Sequence, residues 1–366
     1  MLSSIKSAVT KIMMQRTRVV IALGVCFCLV LFYIATSTVG ENNSTMKEIQ
    51  QSVDLPEALA YKGEGSSREF LEILLTADVK GTNNIFFLET SPFSKEGLSF
   101  TARQACSVEA AARTNPTMQV YLLVANHWTI SATGKETVNR LLSYKNIKIK
   151  RILMKDYVKN TPLEEWWSSQ ILSNSGWPTH HMSDILRYLT LAKFGGIYLD
   201  LDVVVMKSLE QLTNFVGAED WTNVAAGVLG FGMDDLGRRV ADACLTELKT
   251  DFRGDMWSYN GPGVITRVLK KLCNAEDIRY MTKASCHGFT VYPPSAFYPI
   301  FYPQWDLYFT EESKASTMRE IQESFAIHTW NKLSSEKAIP AGSQVPYTIV
   351  ANKFCPNIYK HSGKFF

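Results

Sequence analysis

The stretch that decides the fold runs from Ser183 to Asp202 and reads SDILRYLTLAKFGGIYLDLD. Ile185, Leu189 and Ala192 recur at helical spacing, and Asp184 and Arg187 fall three apart, together on another part of the same helix surface. Gly195 can take the left-handed conformation that ends a helix. Ile197, Tyr198 and Leu199 then make a short apolar run of strand type, which resumes from Val203 to Met206 beyond two acids. Alternation along an extended chain puts Asp200 and Asp202 on one face. Two carboxylates that close repel each other, and a cation between them relieves the cost. A hard divalent ion, Mn²⁺ or Mg²⁺, fits such a pair, with substrate phosphates completing its shell. Arg187 is then expected to face a diphosphate, to which its planar donors are suited.

From Asn83 onward short apolar strands alternate with helical segments: Ile85 to Leu88, the helix Arg103 to Arg113, Val120 to Val124, and a further strand from Ile147 to Leu153. This is the βαβ rhythm of a parallel sheet. Thr161-Pro162-Leu163-Glu164 opens another helix with a capping residue, a first-turn proline and a reciprocal acid. Ligands of such sheets bind outside the carboxyl ends of the strands, which places Glu89, Thr90, Ser91 and Asn126 near the Asp-x-Asp edge. No internal repeat or low-complexity linker interrupts residues 83–366, so one domain with its own core is expected there.

The combined pattern Ser-Asp-x-x-Arg, Gly-Gly-x-Tyr-Leu-Asp-x-Asp resembles the glycosyltransferases whose Asp-x-Asp motif binds the metal of a sugar nucleotide. Over residues 83–360 the chain is similar, more narrowly, to the α1,4-glycosyltransferases of the lactosylceramide α1,4-galactosyltransferase (globotriaosylceramide synthase) type. The likeness is carried by Phe87 to Ser91, Cys106 to Ala111, Ser183 to Asp202, Gly261-Pro262 with Thr266-Arg267, Pro293-Pro294 through Ala296 to Pro299, and His328 to Asn331. It implies an α/β chain with the GT-A nucleotide-diphospho-sugar transferase fold, a Rossmann-like mixed sheet. It also implies His328 as a third metal ligand beside Asp200 and Asp202, and Trp330 closing over the diphosphate and donor sugar. Thr90 and Ser91 would join Asp184, Arg187 and Asp200 around the nucleotide, and the turn at Asn260 would lie close to the donor sugar. The implied reaction is retaining α1,4 transfer of galactose or N-acetylgalactosamine, from UDP-Gal or UDP-GalNAc with Mn²⁺ (or Mg²⁺), to the terminal sugar of a glycosphingolipid. A glycoprotein glycan is the alternative acceptor, and the resemblance leaves room for homo- or hetero-oligomers with other Golgi enzymes.

The remaining aromatic and histidine residues read as structure. His180 and His181 are neighbours on a helix and point in different directions. Trp166 and Trp167, with Ile171 and Leu172, suit a buried helix face, and most rings between Val291 and Trp305 suit core packing. The formal net charge of +3 and the absence of charged tracts give no case for nucleic acid.

Val19 to Ala35 is an unbroken run of apolar or small residues preceded by Lys6, Lys11, Arg16 and Arg18. It is long enough for a thin bilayer, and the preceding positive charge keeps the amino terminus cytosolic. This divides the chain into a cytosolic tail (1–18), a signal-anchor (19–36), a lumenal stem (37–82) and a lumenal domain (83–366), a single-pass type II protein; the resemblance implies that 83–366 is the catalytic domain and that the membrane holding residues 19–36 is that of the Golgi. A cleaved signal peptide competes, favoured by the small residues from Thr36 to Gly40 and opposed by the long polar leader. Asn42-Asn43-Ser44-Thr45 holds two overlapping sequons that make sense on the lumenal side, and one stem helix is expected near Ser67 to Ala77. Of seven cysteines, Cys26 and Cys28 lie in the membrane run. Cys273 and Cys286 are the first disulfide expected, with a bridge from Cys106 or Cys244 to Cys355 as a second.

Two other classes compete. Asp200-Leu201-Asp202-Val203-Val204 satisfies the Asp-x-Asp-x-Val pattern of haloacid-dehalogenase-type phosphatases, with Asp200 as nucleophile and Asp234-Asp235 imitating their later acids. Against it, that motif opens its domain, whereas here much α/β chain precedes it. A non-catalytic lumenal sugar-binding protein is the other; the retained acids and Arg187 argue for activity.

Overall fold

The computed structural model describes residues 70–366. The tail, the anchor segment 19–36, the sequons and Cys26 and Cys28 lie outside the described residues. Among the described residues no helix is long and apolar enough to cross a membrane.

The described chain is mixed α/β. Strands β1 (Asn84–Glu89), β2 (Gln119–Val124) and β3 (Ile147–Arg151) are joined by helices α1 (Ala102–Thr114) and α2 (Lys135–Leu142). Then come α3 (Pro178–Phe194), β4 (Gly196–Leu199), β5 (Val203–Val205), β6 (Phe215–Ala218), β7 (Val224–Phe231), α4 (Asp235–Thr250), α5 (Pro262–Cys273), β8 (Thr290–Tyr292), β9 (Ala326–His328), α6 (Pro346–Phe354) and α7 (Pro356–Lys360). One seven-stranded sheet has the order β3-β2-β1-β4-β7-β6-β8. Its β3-β2-β1-β4 half is parallel, β7 runs antiparallel to β4 and β6, and β8 is parallel to β6. β1 is buried at every position, as a parallel strand covered on both faces must be.

α1 starts in a capping box between Thr101 and Gln104 and lays Ala105, Ala110 and Ala111 against the core. Its buried Glu109 accepts hydrogen bonds from the backbone N–H of Asn357 and Ile358, at 2.9 and 2.7 Å, satisfying donors at the start of α7. Disulfides join Cys106 to Cys355 and Cys273 to Cys286, while Cys244 is a buried thiol.

Three expectations are corrected. From Phe70 the chain is extended rather than helical: Phe70 and Ile73 form bridges with Thr129 and Arg151, and only Thr76–Asp78 makes a tight turn. Backbone pairing to neighbouring strand ends overrides the local helical pattern. The helix expected to open at Thr161 is short, Glu164–Ser168; Trp166 and Leu172 are buried but Ile171 is 40% exposed. The strand expected to reach Leu153 ends at Arg151.

Candidate metal centre

α3 ends at Gly195 with φ +63° and ψ −158°, a conformation open to glycine but outside the left-handed helical well expected of it. Gly196 follows at φ +88°, where a Cβ would lie 2.6 Å from Asn84 O. The pair thus ends the helix and sets β4 close beside β1.

Asp200 and Asp202 do not sit on one extended strand. The Val203 N–H donates to Asp200 O at 3.0 Å, closing a turn between β4 and β5. β5 leaves the large sheet and pairs with β9, with Val203 opposite His328. The turn and the change of sheet gather the two acids with His328, not side-chain alternation. His328 Nε2 stands 3.2 Å from Asp202 Oδ1 and 3.9 Å from Asp200 Oδ2, and one donor atom from each of the three residues lies within 4.8 Å of the others.

The other polar atoms of this tripod are held in place. The Tyr198 hydroxyl donates to Asp200 Oδ1 at 2.6 Å, and the Asn331 N–H donates to Asp202 Oδ2 at 2.8 Å. The Trp330 N–H donates to His328 Nδ1 at 3.2 Å. That leaves Asp200 Oδ2, Asp202 Oδ1 and His328 Nε2 facing one another, a carboxylate and imidazole donor set that suits Mn²⁺ or another divalent ion. The side chains of Asp200, Asp202 and His328 keep 26%, 15% and 11% of their surface exposed.

Arg187 has several protein partners. It is buried, and its guanidinium lies 3.1 Å from Asp184 Oδ1 and 3.4 Å from Asp200 Oδ1. It also donates to Ala226 O at 2.7 Å and rests over the Tyr198 ring. Burial would push the Asp200 carboxyl up, but Arg187 and then His328 outweigh it and hold it below the usual carboxylate range. Burial pushes Asp202 up, with Asp200 adding to the rise against His328. Burial likewise drives Asp184 up to about 7 against the pull of Arg187. For His328 burial acts downward, yet Asp202 and Asp200 prevail and its pKa is raised.

Two family profiles match the chain: "Alpha 1,4-glycosyltransferase conserved region" over residues 233–362, and "Glycosyltransferase sugar-binding region containing DXD motif" over residues 101–220. Lactosylceramide 4-alpha-galactosyltransferase of Mus musculus is 31% identical over 287 residues, 77% of this chain and 77% of that protein. The chain belongs to the α1,4-glycosyltransferase family. Alpha-1,4-N-acetylglucosaminyltransferase of Homo sapiens is 27% identical over 299 residues, 80% of this chain and 84% of the relative. The solved structure of PaToxG glycosyltransferase superimposes with a TM-score of 0.38 and 16% identity, over 80% of this chain and 99% of that one.

Thr90 and Ser91 follow β1, and Asn126, beyond β2, donates to both their carbonyls at 3.0 Å. They share the carboxyl edge of the parallel strands with Asp200, which follows β4. The Asn260 side chain is buried away from solvent and pairs with both the N–H and the carbonyl of Arg253. Its neighbour Gly261 abuts Asp184, where a Cβ would lie 2.3 Å from Oδ1. Trp330, at φ +53°, packs its ring 4.3 Å from His328 and donates Nε1–H to Ile300 O. His181 is buried and bonded to Ser175, whereas His180, one helical turn before Asp184, lies on the site side.

Asp234 caps α4 by accepting from the Gly237 N–H at 2.7 Å. Because Phe231 pairs with Gly196 while Asp200 follows the other end of β4, Asp234 lies at the opposite edge of the sheet. The acidic pair needed for the phosphatase reading is therefore absent from this site.

Sequence reasoning missed Tyr198 and Gly227 as parts of the centre. Tyr198 could have been found, since it precedes Asp200 by two on the same strand face. Gly227 carried no sequence signal; it matters because its carbonyl accepts from the Asp200 N–H at 2.9 Å and its missing side chain leaves room for Asp200 Oδ2.

Proposed function

We propose that this chain has the GT-A fold and transfers galactose or N-acetylgalactosamine from a UDP-sugar, with retention, to the terminal sugar of a glycosphingolipid through an α1,4 linkage. The reading places the catalytic domain (83–366) in the Golgi lumen behind the anchor 19–36 and the stem 37–82. The observation that carries it is the Asp200, Asp202 and His328 tripod in a member of this family. The printed activity of the mouse relative supports a glycolipid acceptor.

A divalent cation held by the tripod, Mn²⁺ on this reading, would neutralise charge on the departing nucleoside diphosphate. Tyr198 and the Asn331 N–H orient the two carboxylates so that the free oxygens and His328 Nε2 converge. Arg187 ties Asp184 to Asp200 and fixes the distance between helix α3 and the tripod. On this reading Asp184, which is buried beside Gly261, meets a hydroxyl of the donor. Thr90 and Ser91 line the edge where the nucleoside would rest, and Trp330 walls the tripod on the β9 side.

The test offers the purified chain UDP-Gal, UDP-GalNAc and UDP-GlcNAc with lactosylceramide and other neutral glycolipids, and determines the linkage of any product. A new α1,4-linked hexose from UDP-Gal or UDP-GalNAc, dependent on a divalent cation and lost in Asp202→Ala, is expected. Turnover that survives both chelation and Asp202→Ala would refute the assignment of the tripod.

A further inference from the structure

We propose that Trp177 and Trp257 form the platform on which the acceptor's sugar stacks; the inference rests on the transferase reading of the adjacent site. Trp177 immediately precedes α3 and Trp257 comes from the loop between α4 and α5, so distant segments bring the two rings together at 5.6 Å, nearly perpendicular. Trp177 keeps 36% of its surface exposed, and Trp257 is half-buried. A pair of large rings left partly open beside a polar centre offers an apolar face to the C–H side of a pyranose.

Two further contacts fix the platform relative to the tripod. The His180 ring packs on Trp257 with centroids 4.0 Å apart, and Lys332 Nζ lies 4.8 Å from the centre of the same ring. His180 is one helical turn from Asp184, a rise of about 6 Å. Lys332 follows Asn331, whose N–H holds Asp202. The Trp257 ring is therefore anchored to two segments that also position the metal centre. The His180 imidazole lies against Trp257, while Lys332 is exposed on the same ring. Burial, helped by Lys332 and Arg187, holds His180 down to about 4, and the charge of Asp200 is felt at the same ring. The imidazole is thus neutral at physiological pH and close to the centre.

Exposure, rather than separation from the nucleotide edge, favours the acceptor. Trp257 comes from the loop before α5, whereas Trp177 adjoins the edge formed by Thr90, Ser91 and Asn126, since Thr90 Oγ1 donates at 3.3 Å to the carbonyl of Thr179, two residues beyond Trp177. The tripod is mostly buried, and the platform is its more exposed neighbour, the side from which a second substrate can approach a bound donor.

The experiment compares wild type, Trp177→Ala, Trp257→Ala and Trp257→Phe in the full chain. UDP affinity is measured by calorimetry with Mn²⁺, and acceptor KM with whichever neutral glycolipid of the panel accepts, and with its free oligosaccharide. Each alanine variant is expected to raise acceptor KM by roughly ten-fold on both acceptors, with Trp257→Phe between it and wild type, while UDP affinity stays within about two-fold. Unchanged acceptor KM overturns the platform, and so does a parallel loss of UDP affinity, which would assign the rings to the nucleotide. A rise confined to the glycolipid and absent with the free oligosaccharide also overturns it, in favour of membrane contact. If UDP binds but no glycolipid accepts sugar, the transferase reading fails and the platform with it; if UDP binds and transfer occurs, only the platform is at stake.

Discussion

Gly227→Ala tests the metal centre from a direction that touches none of its ligands covalently. Gly227 lies inside β7, and an added Cβ would sit 2.8 Å from Asp200 Oδ2 and 3.2 Å from the Tyr298 hydroxyl. That is about 0.6 Å inside ordinary contact with an atom assigned to the metal, and metal bonds tolerate displacements of about 0.2 Å. Asp200 cannot simply rotate away, because Tyr198 holds Oδ1 at 2.6 Å and Arg187 stands 3.4 Å from it. The expected loss is that of a disturbed ligand shell, about 10–100-fold in Mn²⁺ affinity, or about 1.4–2.8 kcal/mol. The metal-free protein should lose less than that, since alanine relieves the strand of glycine's entropy while adding local strain. Calorimetric titration of Mn²⁺ into both proteins, with denaturant melts under chelation, separates the two effects. An alanine variant that binds Mn²⁺ like wild type would show that Asp200 Oδ2 is not a ligand.

Further outcomes follow from other contacts. Gly261→Ala would place a Cβ 2.3 Å from the buried Asp184 Oδ1, and Tyr188 donates to the Gly261 carbonyl at 2.7 Å, so about 1–3 kcal/mol of stability should be lost in urea melts; unchanged stability would contradict the close packing of that turn. If His328 is a ligand it must be unprotonated to bind, and its pKa is raised above 6.5, so Mn²⁺ affinity should begin to fall above pH 6.5 on acidification, with proton uptake at the calorimeter when metal is released. Without metal the sign reverses: the raised pKa of His328 adds stability that is complete below pH 6.5 and is lost as pH rises through the folded-state value. Melts of wild type and His328→Asn under chelation check this, and parallel pH dependences would refute it. The Cys106–Cys355 bridge spans 249 residues of sequence, and Cys106→Ser with Cys355→Ser should cost about 2–4 kcal/mol in denaturant melts; no loss would mean the bridge constrains little.

The helix, the glycine pair and the acid-bearing strand end were legible because each follows from local rules: period, backbone freedom and apolar runs. What those rules could not show was that the chain turns between Asp200 and Asp202 and changes sheets. Period-two alternation and a tight turn both bring residues two apart together, and only the pairing of Val203 with His328 decides between them. The same limit explains Arg187. Its pairing with Asp184, three residues away on the same helix, was legible, but Asp200 after β4 and Ala226 O in β7 come from elements whose meeting no single segment encodes. Asn260 is similar: an amide in a turn can reach outward or bind its own loop, and here it closes on Arg253. His328 was legible only through resemblance, because a lone histidine at a strand end carries no local signal.

The most direct measurement is anomalous diffraction at the manganese edge from a crystal grown with Mn²⁺ and UDP. The expected result is a single strong peak within bonding distance of Asp200 Oδ2, Asp202 Oδ1 and His328 Nε2, with diphosphate oxygens on its open side. A metal peak elsewhere, or UDP bound with these three atoms bridged only to one another, would contradict the central assignment.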